Sequence, residues 1–345
     1  MKPTLAHIKH LAGRFLSVKD TTDLCRKLDI NPMDLALYAL QPVYHEFDLP
    51  KTDGTFRIIE DPVWKLKQLQ RTLNRYLQAV YYLHQTEAAY GFIISIKDQI
   101  RKKNILQNAK RHLHHPYMLK IDLKDFFHQI HKKRVFNLFR SHLFGFKDKL
   151  AHTLSSVLTY KSRLPMGAPT SPVISNFVAM DLDIALDLWS KMNGITFTRF
   201  ADDMTFSGDH PLTEKHLREI TEICNRNRFV LNEEKTIFYG PGQTKKVTGL
   251  VLHDTVDIEE AFYTELEEDL KRLKYLVEAG IIVREHADNP ILLKMKREVK
   301  GKINFIGMIE GYQSSQYRHY QARLDQALHP DNEQLFMRWT RFNYL

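Results

Sequence analysis

The chain is poor in cysteine, with Cys25 and Cys224 alone among 345 residues. Neither belongs to a Cys-x-x-Cys pair, so no disulfide framework is on offer and a reducing cytosol is the natural compartment. Long apolar runs are missing as well. Nothing approaches the roughly 20 apolar residues of a membrane helix, and Met1-Lys2-Pro3-Thr4 lacks the apolar core of a signal segment. No internal repeat, low-complexity tract or linker interrupts the chain, which is long enough for two or three subdomains of a soluble globular protein. Acid is also in short supply: 41 Asp and Glu face 50 Lys and Arg, a formal charge of +9 and a pI near 9.3. The excess is clustered, with Lys97, Arg101, Lys102, Lys103, Lys110 and Arg111 in one segment and Lys294, Lys296, Arg297, Lys300 and Lys302 in another. Such patches neutralise phosphates and release counterions, which favours a nucleic-acid partner over an acidic small molecule. The plain alternative for each cluster is a solvated helix face.

What acid there is occupies a costly place. Phe200-Ala201-Asp202-Asp203 sets two carboxylates at the tip of an expected β-hairpin, because Ile195 to Phe200 and Met204-Thr205-Phe206 are rich in β-branched and aromatic residues. Like charges about 4 Å apart repel by roughly 4 kcal/mol at an effective dielectric of about 20, a cost that divalent cations reverse. A surface turn that favours Asp for local reasons is the alternative. A third acid, Asp122, ends the strand-like segment Tyr117 to Asp122. Paired side by side, the two elements bring Asp122, Asp202 and Asp203 to one sheet edge. Such oxygen ligands suit Mg²⁺, and two ions about 3.5–4 Å apart can activate a hydroxyl and neutralise a departing pyrophosphate. That chemistry is nucleotidyl transfer.

Around these acids, Tyr44 to Ile59 reads as a hairpin turning at Asp53-Gly54. Asp61-Pro62 then looks like the N-cap and first position of a helix whose apolar face is Leu66, Leu69, Leu73, Tyr76, Leu77, Val80 and Tyr81. A second helix is expected from Ser95, with Asp98 at capping-box spacing, running toward Asn108 and His112. His112 could equally be a helix-end cap or a core histidine. Thr170-Ser171-Pro172 is a helix entry, and Leu182, Ala185, Leu186 and Trp189 continue the apolar face of one long helix. From Glu259 the pattern is helical, marked by Leu266, Leu270, Leu273, Leu276, Ile303, Ile306 and Ile309. His112, His114, His115, His128 and His131 lie close in sequence, but they lack the cysteines and the helical His pair of a structural zinc site.

Ile121 to Phe127, the loop Leu164 to Pro172 and Phe200 to Asp203 resemble, in order and spacing, the three palm motifs of reverse transcriptases. Lys51 to Arg57 is similar to that family's fingers hairpin, Leu231 to Thr236 to the segment after the palm carboxylates, and Ile303 to Gly307 to the start of a thumb helix. Asn108-Ala109-Lys110-Arg111-His112 and Val247-Thr248-Gly249 resemble two short signatures of the retron branch. One departure is visible: Met166 stands where most of the family carries Gln, and a thioether cannot replace an amide's hydrogen bonds.

The resemblance implies an α+β, right-hand polymerase: N-terminal helices and fingers over 1–115, a ferredoxin-like palm with an interleaved fingers segment over 116–258, and a helical thumb over 259–345. It implies an RNA-directed DNA polymerase using two Mg²⁺ ions, with Asp122 and Asp202 as the first metal ligands, Asp203 as ligand or support, and the Leu123 carbonyl completing one shell. Lys51 and Arg57 would hold the triphosphate, or else be solvated hairpin charges, with Met166 and Gly167 beside the nucleotide. Lys235 would be the candidate general acid, or an exposed turn lysine. Phe127 would close on the sugar's 2′ face and favour dNTPs, unless it rather than Phe126 belongs to the core. Asn108, His112, Lys245, Lys246, Val247, Thr248 and Gly249 would bind RNA, the triplet alternatively being a β-turn or a strand packed under the thumb.

The retron branch implies further partners: a cognate structured non-coding RNA that serves as template and as primer through a 2′-OH, its RNA-linked single-stranded DNA product (msDNA), and an effector protein in cytoplasmic defence against phage, away from membranes. The rival enzymes are group II intron reverse transcriptases, which normally carry an extension for which little room remains here, and abortive-infection reverse transcriptases. A non-catalytic RNA-binding scaffold is the rival of another class, and the intact Asp122, Asp202 and Asp203 argue against it.

Overall fold

The computed structural model describes residues 2–50, 54–97, 99, 102–282 and 289–330, in two compact units, Met1–Gln243 and Thr244–Leu345. The first unit opens with three helices, α1 (Leu5–Leu16), α2 (Thr21–Leu28) and α3 (Pro32–Leu40). A hairpin follows, β1 (Tyr44–Pro50) and β2 (Phe56–Pro62). It runs further than its pattern indicates, because Pro62 stays extended opposite Tyr44. The helix expected to be capped by Asp61 therefore begins later: α4 is Trp64–His84 behind N-cap Val63, while Asp61 takes the Lys67 ammonium at 2.5 Å. The seven apolar positions assigned to its inner face, from Leu66 to Tyr81, are all buried.

No helix starts at Ser95. Residues Ser95 to Lys97 are non-helical, the Lys97 N–H is taken by the Pro3 carbonyl at 2.8 Å, and Asp98 lies outside the described residues. The cap is instead Asn104, whose side chain accepts from the Gln107 N–H at 2.8 Å and opens α5 (Ile105–Lys110).

Next come β3 (Tyr117–Leu123), α6 (Lys132–Arg140), α7 (Asp148–Val157), α8 (Ser171–Val178) and α9 (Met180–Met192). Ser171-Pro172 does start α8, but the expected long helix is two helices, broken at Ala179. The unit ends with β4 (Thr196–Phe200), β5 (Asp203–Gly208), α10 (Glu214–Arg226) and β6 (Leu231–Tyr239). These strands form an antiparallel sheet in the order β4-β5-β3-β6. A β-α-β-β-α-β chain order in that strand order is the ferredoxin-like arrangement. Its core includes Leu119, Ile121, Phe197, Met204 and Phe206, all buried, with Phe197 and Phe206 stacked 4.7 Å apart.

In the second unit β7 (Lys245–Val247), β8 (Leu250–Leu252) and β9 (Val256–Ile258) form a small antiparallel sheet. They precede α11 (Glu260–Ile282), α12 (Pro290–Glu310) and α13 (Ser315–Leu328). Leu266, Leu270, Leu273, Ile303, Ile306 and Ile309 are buried, as their helical spacing requires. Among the described residues no helix is long and apolar enough to cross a membrane.

Candidate active site

Sheet register brings the carboxylates together. Asp122, at the end of β3, is the cross-strand partner of Asp203, and Asp203 pairs with Phe200 across the two-residue loop Ala201-Asp202. The loop is tight because Ala201 adopts φ 59°. It is anchored to the neighbouring strand by the Leu123 N–H, which donates to the Asp202 carbonyl at 3.0 Å. Gly91 lies directly against this tip, where a Cβ would stand 2.8 Å from the Ala201 nitrogen. Only glycine fits there, a close approach that nothing in the sequence around Gly91 announces.

The electrostatics match a site short of positive charge. Burial raises the Asp202 carboxyl above its ordinary value, and the Asp122 charge raises it further. Burial also raises Asp203, against the opposing pull of Lys120. Two lysines partly compensate: Lys120 lies 3.2 Å from Asp203 and Lys235, on β6, lies 3.3 Å from Asp122. As the side chains stand, no three His, Cys, Asp or Glu among the described residues are grouped closely enough to hold a metal ion. The all-oxygen donor set and the raised carboxyls nonetheless fit hard divalent cations, which would take over the charge that Lys120 and Lys235 now supply.

Beside the carboxylates lies a cavity of about 930 Å³ whose lining includes Arg57, Phe127, Met166, Asp202 and Lys235. Leu123 lines it too, at the end of β3. The Phe126-Phe127 ambiguity resolves by burial. Phe126 is 3% exposed and belongs to the core, while Phe127 is half-buried, lines the cavity and packs 6.2 Å from Phe92. Lys51 lies outside the described residues.

The loop at Met166 is held by its backbone. Met166 N–H donates to the Glu60 carboxylate at 3.1 Å, and the Met166 carbonyl accepts from the Glu60 N–H at 2.6 Å. Gly167 has φ +131°, and a Cβ there would meet the Glu60 carbonyl at 2.7 Å. The loop position therefore does not depend on which side chain residue 166 carries. Glu60 is itself 1% exposed and receives both arms of the Arg163 guanidinium at 2.8 Å. Burial alone would raise its carboxyl, but Arg163 and the Met166 N–H outweigh burial and hold it below the usual range. Sequence reasoning missed Glu60 and Arg163, because an ion pair spanning 103 positions leaves no local pattern.

The residues expected to bind RNA divide. Asn108 and His112 are each 1% exposed. His112 bridges the two strands behind the tip, 2.7 Å from Ser207 Oγ and 2.7 Å from Thr198 Oγ1, and burial pushes its pKa down to about 3. It is a core histidine without a face for RNA, and buried Asn108 likewise offers none. Val247 is buried in β7, and Thr248-Gly249 form the turn to β8 with φ 49° and 80°. Two successive positive φ values are what a two-residue hairpin demands. A Cβ at Gly249 would meet nothing within 4 Å, so its glycine serves the turn and no close approach among the described residues requires it. Lys246 pairs with Glu259 at 2.5 Å, and Lys245 precedes it on the same strand.

The family of reverse transcriptases (RNA-dependent DNA polymerases) matches residues 49–279. The retron Ec86 reverse transcriptase of Escherichia coli is 29% identical over 244 residues, covering 70% of this chain and 73% of that protein. The retron Ec73 reverse transcriptase of Escherichia coli is 35% identical over 230 residues, covering 61% of this chain and 69% of the relative. Among solved structures, telomerase from Candida albicans superposes with a TM-score of 0.45 at 11% identity, covering 83% of this chain and 63% of that one. Reverse transcriptases use divalent metal ions, in keeping with the donor set at the strand tips. The matched segment contains all three carboxylates, the cavity and the hairpin at Thr248-Gly249, and the chain belongs to the reverse transcriptases, RNA-directed DNA polymerases of the retron type.

Proposed function

We propose that this enzyme copies a cognate structured non-coding RNA, used as both template and primer, into RNA-linked single-stranded DNA, and that it works with an effector protein in defence against phage. The observation that carries the chemical part is the meeting of Asp122 with Asp203 and the Asp202 turn at one sheet edge, beside a cavity lined by Arg57 and Phe127. In functional terms residues 1–115 are the N-terminal helices and fingers, 116–258 the palm and 259–345 the thumb, although β7–β9 pack within the second unit.

Asp122 and Asp202 would hold two Mg²⁺ ions, with Asp203 as ligand or support and the Leu123 carbonyl as a further donor. When bound, the ions supply the positive charge that activates the primer hydroxyl and neutralises the departing pyrophosphate. Arg57 grips the triphosphate through its planar fork, and Lys51 adds a point charge. Lys235, which pairs with Asp122 at 3.3 Å, gives a proton to pyrophosphate. Phe127 bars a ribose 2′-OH by bulk, while Met166 lines the cavity beside it and Gly167 lets its loop sit close against Glu60. Lys245, Lys246 and the Thr248-Gly249 turn engage an RNA stem by phosphate contact and shape, while Val247, buried in β7, supports the turn from within. His112 contributes by stiffening the catalytic hairpin from behind.

Sequencing the nucleic acid that co-purifies with the protein tests the whole reading. A branched RNA joined to DNA is expected. Linear, heterogeneous RNA with no linked DNA would defeat the retron assignment of substrate.

A further inference from the structure

Arg199 is 0% exposed and, among the described residues, heads the fully buried side chains by size. A charge so placed is costly, and a well-packed apolar residue of similar volume would often be as stable or more so. Every N–H of its fork nevertheless has an acceptor. Nε donates to Asp183 Oδ1 at 2.5 Å and Nη2 to Asp183 Oδ2 at 2.8 Å. Both terminal nitrogens reach Asn176 Oδ1 at 3.3 Å, and Nη1 donates to the Ala201 carbonyl at 2.9 Å. Asp183 and Asn176 are themselves 0% exposed. Asn176 Nδ2 donates in turn to the Gly91 carbonyl at 2.9 Å, and Gly91 is the residue that abuts the Ala201 nitrogen. Thr86 donates to Asp183 at 2.8 Å, and the Arg199 backbone is fixed on both sides by Ala88 and Tyr90 at 2.8 Å.

Ala201 thus has its carbonyl held by Arg199 and its nitrogen backed by Gly91, and both restraints meet at Asn176. We infer that Arg199 is a positioning residue for the catalytic hairpin: with Asp183 neutralising it and Asn176 orienting it, it holds Ala201 left-handed and so sets where the Asp202 carboxylate stands. The neutral pair of an apolar isostere would fill the space but could not reach the Ala201 carbonyl. This rests on the assignment of the three carboxylates to metal.

The test uses Arg199→Lys, which keeps a cation beside Asp183 but cannot span Asp183, Asn176 and Ala201 together. Asn176→Ala leaves the Arg199–Asp183 ion pair in place, and it decides the matter if the first variant does not fold. Mn²⁺ binding to the free enzyme is followed by electron paramagnetic resonance, alongside kcat and KM for dNTP and the melting temperature. Mn²⁺ affinity should fall by about tenfold or more and kcat by about tenfold to a hundredfold, with KM for dNTP nearly unchanged. A lowered melting temperature with wild-type Mn²⁺ affinity and wild-type kcat would overturn the inference and leave Arg199 a purely structural residue. The carboxylate assignment is checked separately in the same titration, since wild-type Mn²⁺ binding that persists in Asp202→Asn would defeat that assignment instead.

Discussion

Two hairpins of this chain turn over two residues each, and both put a non-glycine residue in the left-handed region. Ala201 at the β4–β5 turn has φ 59° and Thr248 at the β7–β8 turn has φ 49°. The second turn solves half of its geometry locally: Gly249 follows at φ 80°, a conformation glycine adopts freely. The first has no glycine within the turn. A left-handed L-residue costs roughly 1–2 kcal/mol, and here the surroundings impose it, through Arg199 at the carbonyl and Gly91 against the nitrogen. Strain of this kind persists where the rest of the structure over-determines it, typically at functional sites. The turn held from a distance is the one that carries the carboxylates.

Moving one methyl group breaks the comparison most sharply. In Gly91→Ala the new Cβ would stand 2.8 Å from the Ala201 nitrogen and 3.3 Å from the Phe200 carbonyl carbon, so the tip has to shift. Steady-state extension should lose about a hundredfold in kcat. Gly249→Ala should cost about 1 kcal/mol of stability through backbone strain and leave kcat on a generic primed template unchanged. Equal catalytic losses in the two variants would erase the distinction between the turns.

The cavity beside the first turn gives the next largest effect. Phe127→Ala removes the ring expected to crowd the sugar, so the ratio of rNTP to dNTP incorporation should rise by more than about tenfold. An unchanged ratio in single-nucleotide incorporation would return Phe127 to a packing role.

What could be read from sequence was what local pattern encodes. Alternation and aromatic content placed the β3 and β4–β5 segments, so Asp122, Asp202 and Asp203 could be put at one sheet edge before any register was known. Helical periodicity likewise located the buried face of α4. Caps were less legible: Ser95 and Asp98 have the right spacing, yet the helix starts behind Asn104, because Lys97 is already tied to Pro3. The motif Asn108 to His112 was visible, but its position behind the hairpin was not, since His112 meets strands 86 and 95 residues away. Glu60, Arg163, Gly91 and Asn176 act through equally distant contacts, and such contacts leave no periodicity to read.

The second turn has its own test. Reversing charge with Lys245→Glu and Lys246→Glu should weaken binding of the cognate RNA severalfold more than binding of a generic primed template, in gel shifts at fixed salt. Equal weakening on both would reduce these lysines to general phosphate contacts.

The smallest effect is on stability at the first turn. Asp202 has its carboxyl raised by burial and by Asp122, so at neutral pH its ionised form is disfavoured in the fold relative to the unfolded chain. That cost is fully present above the raised folded value and disappears as pH falls through it toward the unfolded one. Without metal, Asp202→Asn should therefore melt slightly above wild type near pH 7, and the gap should close on acidification in calorimetric scans. A variant that melts below wild type at pH 7 would contradict the electrostatic account of the site.

The most direct test of the central claim is primer extension on an RNA template with dNTPs and Mg²⁺, comparing wild type and Asp202→Asn, with a gel shift for RNA on the same preparations. The carboxylate cluster predicts that the variant loses extension by about a thousandfold while its RNA shift stays at the wild-type level. Undiminished extension by Asp202→Asn would contradict the assignment of the Asp122, Asp202 and Asp203 edge as the catalytic centre.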